Sequence, residues 1–351
     1  WCCDANLQLT QAAVAWAAER PLGHVYLAGP PLWWVLGFYG LLATLLALPH
    51  WRPPRRWCAA LLLAWLAVAA LAPGIVRGRR PWASGQAELR CTFLSVGHGC
   101  CCVLELPDGR VMLYDAGQLG SPEAGARSIS AYLWSRQIDH LDAVVLSHAD
   151  VDHYNALPGL LKRFSIGSVV VSPVMFQDDA PALAALAEEI AAHNTPLTVV
   201  SSQQPAFHVG EVRIEVLHPP PQGVAGSDNA NSVVLLVEYA GRKILLPGDL
   251  EPPGLGDVLA ELPIDVDMAL APHHGSVRSS PTGFAQWCRP EFVVVSGGHG
   301  FDAEQARQAY TSAGATVLHT AETGAVTVRV SAGALVVETF RPGEEPLPTV
   351  H

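Results

Sequence analysis

Two patterns of apolar residues divide this chain. Residues 30–49 (PPLWWVLGFYGLLATLLALP) and 57–76 (WCAALLLAWLAVAALAPGIV) each run twenty residues without Asp, Glu, Lys or Arg. About twenty apolar residues in a helix span roughly 30 Å, the hydrocarbon thickness of a bilayer. Trp33, Trp34, Tyr39, Trp51 and Trp57 cluster near the segment ends, where amphipathic rings suit the membrane interface. The pattern predicts a transmembrane helical hairpin within 30–80, with a short basic loop holding Arg52, Arg55 and Arg56. Arg77, Arg79 and Arg80 follow the second span, so positive charge alone does not orient the pair. Residues 1–29 read as a membrane-proximal segment, helical and amphipathic from about Leu7. The first residue is Trp and no signal-peptide pattern opens the chain, as expected of a fragment.

After Pro81 the period changes. Leu89–Ser95, Cys101–Leu106 and Val111–Tyr114 read as strands, with a Pro107-Asp108-Gly109 turn between the last two. Further strands are predicted near 143–146, 168–171, 197–200, 212–217, 233–239, 243–247, 266–271, 292–296, 315–319, 325–330 and 334–339. Helices are predicted near 122–137, 156–163, 181–193, 252–261 and 302–312. Strand-rich blocks interleaved with helices predict an α+β domain over 86–343, two mixed sheets face to face with helices outside. Residues 344–351 read as a flexible, Pro-containing tail.

Charge sharpens the division. Residues 1–85 hold seven Arg against Asp4 and Glu19, leaving fourteen basic and thirty acidic residues beyond. No broad basic face is evident, which argues against a tight non-specific grip on nucleic acid. None of the eight cysteines forms a CxxC pair; Cys100–Cys102 fall in an apolar run, where Cys behaves as a small hydrophobe. A disulfide from Cys91 to that run is a spacing-permitted alternative.

The chemistry concentrates at three strand ends. Ala143–Leu146 leads into Ser147-His148-Ala149-Asp150-Val151-Asp152-His153, which places His148, Asp150, Asp152 and His153 within six residues. Imidazole and carboxylate are ligands of borderline and hard divalent ions, and four in six positions point to a metal site. The apolar run Lys243–Leu246 ends in Pro247-Gly248-Asp249, where a bridging carboxylate could reach two ions. Met268–Leu270 leads into His273-His274-Gly275-Ser276.

At these residues the chain resembles the metallo-β-lactamase superfamily: His148-x-Asp150-x-Asp152-His153 matches its HxHxDH signature with Asp in the second position. Tyr114-Asp115-Ala116-Gly117 is similar to the upstream D-x-G element. The order F-L-S-V-G-H-G, Y-D-A-G, S-H-A-D-V-D-H, N-A-N-S, P-G-D and P-H-H-G-S is similar, more narrowly, to the C-terminal part of ComEC-type DNA-internalisation proteins, and 1–80 then matches the end of a channel region. The resemblance implies the four-layer αββα sandwich. It implies two divalent ions, manganese or zinc, the Asp-rich ligands favouring manganese. One would be held by His148 and Asp150, the other by Asp152, His153 and His274, with Asp249 bridging. Asp152, Asp249 and His273 would carry catalysis, His273 by contacting substrate phosphate. Asp115 would orient the ligand loop, while Asn229, Asn231, Ser232 and Ser276 would lie near the site. His208 or His218 could supply the additional histidine usual in the superfamily. One departure stands out: the family's D-V-G-Q-G-D reads Ser95-Val96-Gly97-His98-Gly99-Cys100 here, leaving His98 as an added metal or substrate ligand or a polar turn residue.

The implied function is a membrane-anchored phosphodiesterase or nuclease, multi-pass, with its hydrolase domain outside the cytoplasmic membrane. Its partners would be single-stranded DNA, transiently, the membrane and other competence proteins. Two alternatives stay open: hydrolysis of another ester or a lactam, and a catalytically weakened DNA-guiding module.

Overall fold

Small and straight-chain apolar residues make helices of the first unit, Trp1–Gly78: Cys2–Ala18 (α1), Leu32–Ala47 (α2) and Arg55–Val76 (α3). The computed structural model describes residues 2–18, 20, 30, 32–47, 54–76, 87–177, 180–298 and 301–341. Arg52, Arg77, Arg79, Arg80 and the 344–351 tail therefore lie outside the described residues. α1 begins earlier than the helix expected from Leu7. α2 and α3 fall where the two apolar spans were predicted, and they touch through aromatic rings. Trp34 packs 5.8 Å from Trp65, and its indole N–H donates to the Trp65 carbonyl at 3.2 Å. Gly37 admits the Trp65 ring, which a β-carbon would meet at 3.1 Å. The outer faces have no core to enter: Leu36, Tyr39, Leu46, Leu61 and Leu63 are exposed. The 16 residues of α2 reach only about 24 Å at roughly 1.5 Å per residue. Among the described residues, no helix is long and apolar enough to cross a membrane.

The second unit, Arg79–His351, opens with Leu89–Phe93 (β1), Cys102–Glu105 (β2), Val111–Tyr114 (β3) and Pro122–Ser135 (α4). Then come His140–Leu141 (β4), Ala143–Val145 (β5), Val151–Tyr154 (α5), Leu157–Leu161 (α6), Ser165–Ile166 (β6), Val169–Val171 (β7), Pro181–Ala192 (α7) and Leu197–Val199 (β8). Phe207–Val209 (β9), Val212–His218 (β10), Val234–Tyr239 (β11), Arg242–Leu246 (β12), Gly254–Ala260 (α8), Met268–Leu270 (β13), Pro281–Cys288 (α9) and Phe292–Val295 (β14) follow. Phe301–Ser312 (α10), Thr316–His319 (β15), Thr320–Thr323 (α11), Val326–Ser331 (β16) and Ala334–Thr339 (β17) complete it.

One sheet has the order β17-β16-β1-β2-β3-β5-β7-β8 and the other β15-β14-β13-β12-β11-β10-β9. Each is antiparallel in one half and parallel in the other. The sequence shows why. β10 alternates buried and half-buried residues, the mark of a sheet covered on one side, whereas β13 and β14 are buried throughout. Leu89, Phe93, Leu104 and Tyr114 of the first sheet meet Ile214, Leu235, Val237 and Leu246 of the second in a central core. Outside, Ile129, Leu133, Leu157, Leu160 and Leu186 cover one sheet, and Leu255, Val258, Phe284 and Tyr310 cover the other. Burying a side chain such as Phe93 or Phe292 contributes about 1.5–3 kcal/mol. The expected αββα order is what the chain forms.

Among the elements not anticipated are α5, α9, α11, β4, β6 and β9. β9 is a short, largely exposed edge strand with no alternation to read. β4 and β6 pair over two residues each. The polar stretch after β5 winds into α5 immediately. The parallel strands matter most for the site, since Asp115, His148, Asp249, His274 and Ser296 all lie just beyond the carboxyl ends of β3, β5, β12, β13 and β14.

Candidate metal centre

Asp115 organises the ligand loop. Its left-handed backbone (φ 61°) turns a fully buried carboxylate back onto the neighbouring strand end. There Oδ1 accepts from the Ser147 amide at 2.7 Å, and Oδ2 accepts from the Ser147 hydroxyl at 2.9 Å. Oδ2 also lies 2.8 Å from His153 Nδ1, so that nitrogen donates and Nε2 faces the other way. Asp150 occupies the N-cap position of α5 without using its side chain as a cap, which leaves the carboxylate 3.5 Å from His148 Nε2.

Asp249 joins the two halves. Oδ1 lies 3.2 Å from His153 Nε2, while Oδ2 lies 3.4 Å from His274 Nε2 and 3.8 Å from His273 Nε2. The Asp249 amide donates to Ser232 Oγ at 3.2 Å. Gly248 (φ 58°) must be glycine, because a β-carbon would meet the Ser147 side chain at 2.8 Å. His273 and His274 both hold left-handed backbone, φ 47° and 53°, a strain of about 1–3 kcal/mol per residue of the kind functional sites retain. In return His274 Nδ1 donates to the Ser296 carbonyl at 2.8 Å, and Nε2 sits 3.3 Å from Asp152 Oδ2.

Two clusters of donor atoms among the described residues meet at Asp249: His148 with His153 and Asp249, and His98 with Asp152 and His274; within each, all lie inside 4.8 Å of one another. The resemblance implies His153 beside Asp152 and His274. Here its Nε2 is nearer Asp249 (3.2 Å) than Asp152 (3.9 Å). A third cluster, Cys100 with Asp115 and His153, is the supporting layer, since Asp115 already engages His153 Nδ1.

Electrostatics follow from these contacts. Burial alone would raise the Asp249 carboxyl, but the His153 and His274 imidazoles outweigh it and hold it well below the carboxylate range. Burial also opposes the Asp152 shift, and the His274 hydrogen bond overrides it, bringing that carboxyl down to about 2. His153 and His274 move the opposite way: burial would lower them, yet facing Asp249 raises both, His153 strongly. His148 Nε2 and His153 Nε2 are buried with no hydrogen-bond partner. Orphaned imidazole nitrogens beside carboxylates, each with its Nδ1 occupied, are the donor chemistry divalent ions require, so the residues fit the metal.

Some expected residues take other work. Asn231 closes its own loop through the Val224 amide and carbonyl, at 2.7 and 2.9 Å. Ser276 caps the turn Val277–Ser279 by accepting from the Arg278 amide. His218 Nε2 is engaged by the Ala230 carbonyl at 2.8 Å, and His208 lies exposed on β9; neither joins a donor cluster among the described residues. The Asn229 amide nitrogen lies 3.5 Å from His273 Nδ1. Glu251 was not anticipated. Its Oε1 lies 2.6 Å from His273 Nδ1, and the one available signal was an acid two residues past Asp249. The Cys91 and Cys102 sulfurs lie 3.1 Å apart as free thiols, which leaves the disulfide alternative unformed.

The sequence model of the "Metallo-beta-lactamase superfamily" matches residues 95–327, and the chain belongs to that superfamily, whose members use divalent metal ions. Its curated relatives are competence proteins of the ComEC type, as the motif order implied. It is 28% identical to "ComE operon protein 3" of Bacillus subtilis (strain 168), over 62% of this chain and 29% of that one. It is 26% identical to "Competence protein ComA" of Neisseria gonorrhoeae, over 73% of this chain and 32% of that one. The chain thus spans less than a third of the length of the curated relatives it matches. Among solved structures it is similar to Zn(2+)-bound PqqB from Methylobacterium extorquens, at 13% identity and a TM-score of 0.44, covering 66% of this chain and 97% of that one.

Proposed function

We propose that this domain is a metal-dependent phosphodiesterase acting on single-stranded DNA in a competence system. The observation that carries the reading is Asp249, whose two carboxylate oxygens face histidines of two separate donor clusters. Asp249 would bridge a pair of ions, manganese or zinc, with His148, Asp150 and His153 on one side and Asp152 and His274 on the other. Two such ions supply Lewis acidity to both the entering and the leaving oxygen of a phosphodiester displacement. The protein's own part is orientation. Asp115 and Ser296 hold His153 and His274 by their Nδ1 protons, leaving both Nε2 lone pairs toward the centre. Glu251 holds His273 by its Nδ1 in the same way, which leaves Nε2 turned toward Asp249 and within the centre to contact a substrate oxygen. Competence relatives support DNA as the substrate and other competence proteins as partners.

The apolar exteriors of α2 and α3 support anchoring in a membrane. Placement of the hydrolase domain on the extracytoplasmic side rests on the resemblance to ComEC-type proteins. A second reading, a DNA-guiding module with weakened catalysis, draws support from Cys100. Burial and nearby Asp115 keep its thiol uncharged where the family carries an acid. The full chain, incubated with manganese or zinc and offered single-stranded DNA, a simple phosphodiester and a lactam, separates these readings. Cleavage of DNA and phosphodiester supports the first; binding without cleavage under every ion would transfer the case to the second.

A further inference from the structure

His98 belongs to no catalytic role given above, yet it is held firmly. Its turn, Gly97–His98–Gly99, is pinned by four hydrogen bonds. The Leu119 amide donates to the His98 carbonyl at 2.6 Å, and the Ser296 hydroxyl donates to the Gly99 carbonyl at 2.8 Å. The Cys100 amide donates to the Asp152 carbonyl at 3.3 Å, and the Gly117 amide to the Cys100 carbonyl at 3.1 Å. Gly99 (φ 140°) lets the turn lie directly on the ligand loop, because a β-carbon there would stand 2.8 Å from the Asp152 carbonyl oxygen. Ser296 therefore fixes two things at once: its carbonyl aims His274, and its hydroxyl seats the turn that carries His98.

The result is a third donor over the second cluster. His98 Nε2 is 3.7 Å from Asp152 Oδ2, and its ring centroid is 4.6 Å from that of His274. Ligands about 2.0–2.2 Å from a common ion lie roughly 3–4 Å from one another. The Asp152–His274 separation of 3.3 Å and the His98–Asp152 separation of 3.7 Å both fall in that range.

We propose that His98 is a protein ligand of the ion held by Asp152 and His274, a role that rests on the two-ion reading. With Asp249 Oδ2 at 3.4 Å from His274 Nε2, that ion has two imidazole and two carboxylate donors. Such a set favours zinc or cobalt over manganese by a wider margin than an oxygen-rich set does.

The test is metal stoichiometry and cobalt absorption of the full chain. Wild type takes up two zinc or cobalt ions. His98→Ala loses the second ion, its affinity falling roughly tenfold or more, as the loss of even an outer partner of a metal ligand costs about 10–100-fold. His98→Asp restores two ions and moves the preference at the second from zinc toward manganese. Melting of the metal-free variants should match wild type, since the ring is half exposed. Two ions bound by His98→Ala at wild-type affinity, with an unchanged cobalt spectrum, would overturn the assignment. A wild type holding fewer than two ions would overturn it together with the two-ion reading. One holding two but cleaving no phosphodiester would overturn the phosphodiesterase reading alone.

Discussion

Asp115 grips His153 by Nδ1 at 2.8 Å with a carboxylate that is wholly buried, so the orientation of a metal-facing imidazole is set by a residue 38 positions upstream. Asp115→Ala should lower metal affinity about 10–100-fold. It should also destabilise the fold by about 1–3 kcal/mol, because the Ser147 amide loses its acceptor in the interior. Denaturant unfolding of the metal-free chain and a zinc-competition titration check the two effects separately. A variant with unchanged affinity would show that His153 needs no such support.

Asp249→Ala should cost more than Asp150→Ala. Asp249 is buried and faces both clusters, while the Asp150 side chain is nearly half exposed and lies beside His148. The first variant should lose both ions and all hydrolysis; the second should keep at least one ion and residual turnover. Elemental analysis after dialysis, with phosphodiesterase rates beside it, makes the comparison. Equal losses would remove the bridging role.

Gly117→Ala should disrupt the centre without touching a ligand. A β-carbon there would come within 2.1 Å of the Asp152 carbonyl oxygen and 2.4 Å of the His153 nitrogen, so backbone must move. Overpacking of this kind costs about 1–3 kcal/mol or more. The midpoint of denaturation should fall and metal binding weaken together. Wild-type values for both would mean the two loops are farther apart than 2.1 Å implies.

The metal-free chain should be most stable between about pH 4 and 6.5. Asp152, brought down to about 2, contributes stability that is present above its unfolded value and lost as pH falls through the folded one. His153 and His274, raised by facing Asp249, contribute below the usual imidazole value and lose it as pH rises through their folded values. Zinc must displace those protons, so binding at pH 7 should release them and tighten as pH increases. Calorimetry in buffers of different ionisation enthalpy reads the release directly; no buffer dependence would contradict the raised imidazoles.

The donors were legible in the sequence because local chemistry declares them. His148 to His153 crowd one strand end, and Asp249 and His274 each follow an apolar run into a Gly-containing turn. The layer behind them was not. Ser296 acts through a backbone carbonyl and a hydroxyl, and Glu251 through a contact with His273 that only the folded turn creates. Asn231 and Ser276 misled for the same reason: polar side chains beside a site serve loop closure and capping as readily as ligand contact. Strand existence was readable from period, but pairing across long separations was not, since register depends on partners no local pattern names.

That pairing has a kinetic consequence. β1 has β2 on one side and β16 on the other, with Leu89 registered on Val330. The first strand therefore waits, half-paired, until nearly the whole domain has been synthesised. Non-local closure of this kind is slow and leaves a strand edge exposed to other chains meanwhile. Truncation anywhere before Ser331 should yield aggregate rather than a smaller working enzyme, and cells making this chain need the β16–β17 hairpin to emerge before any ligand loop is secure.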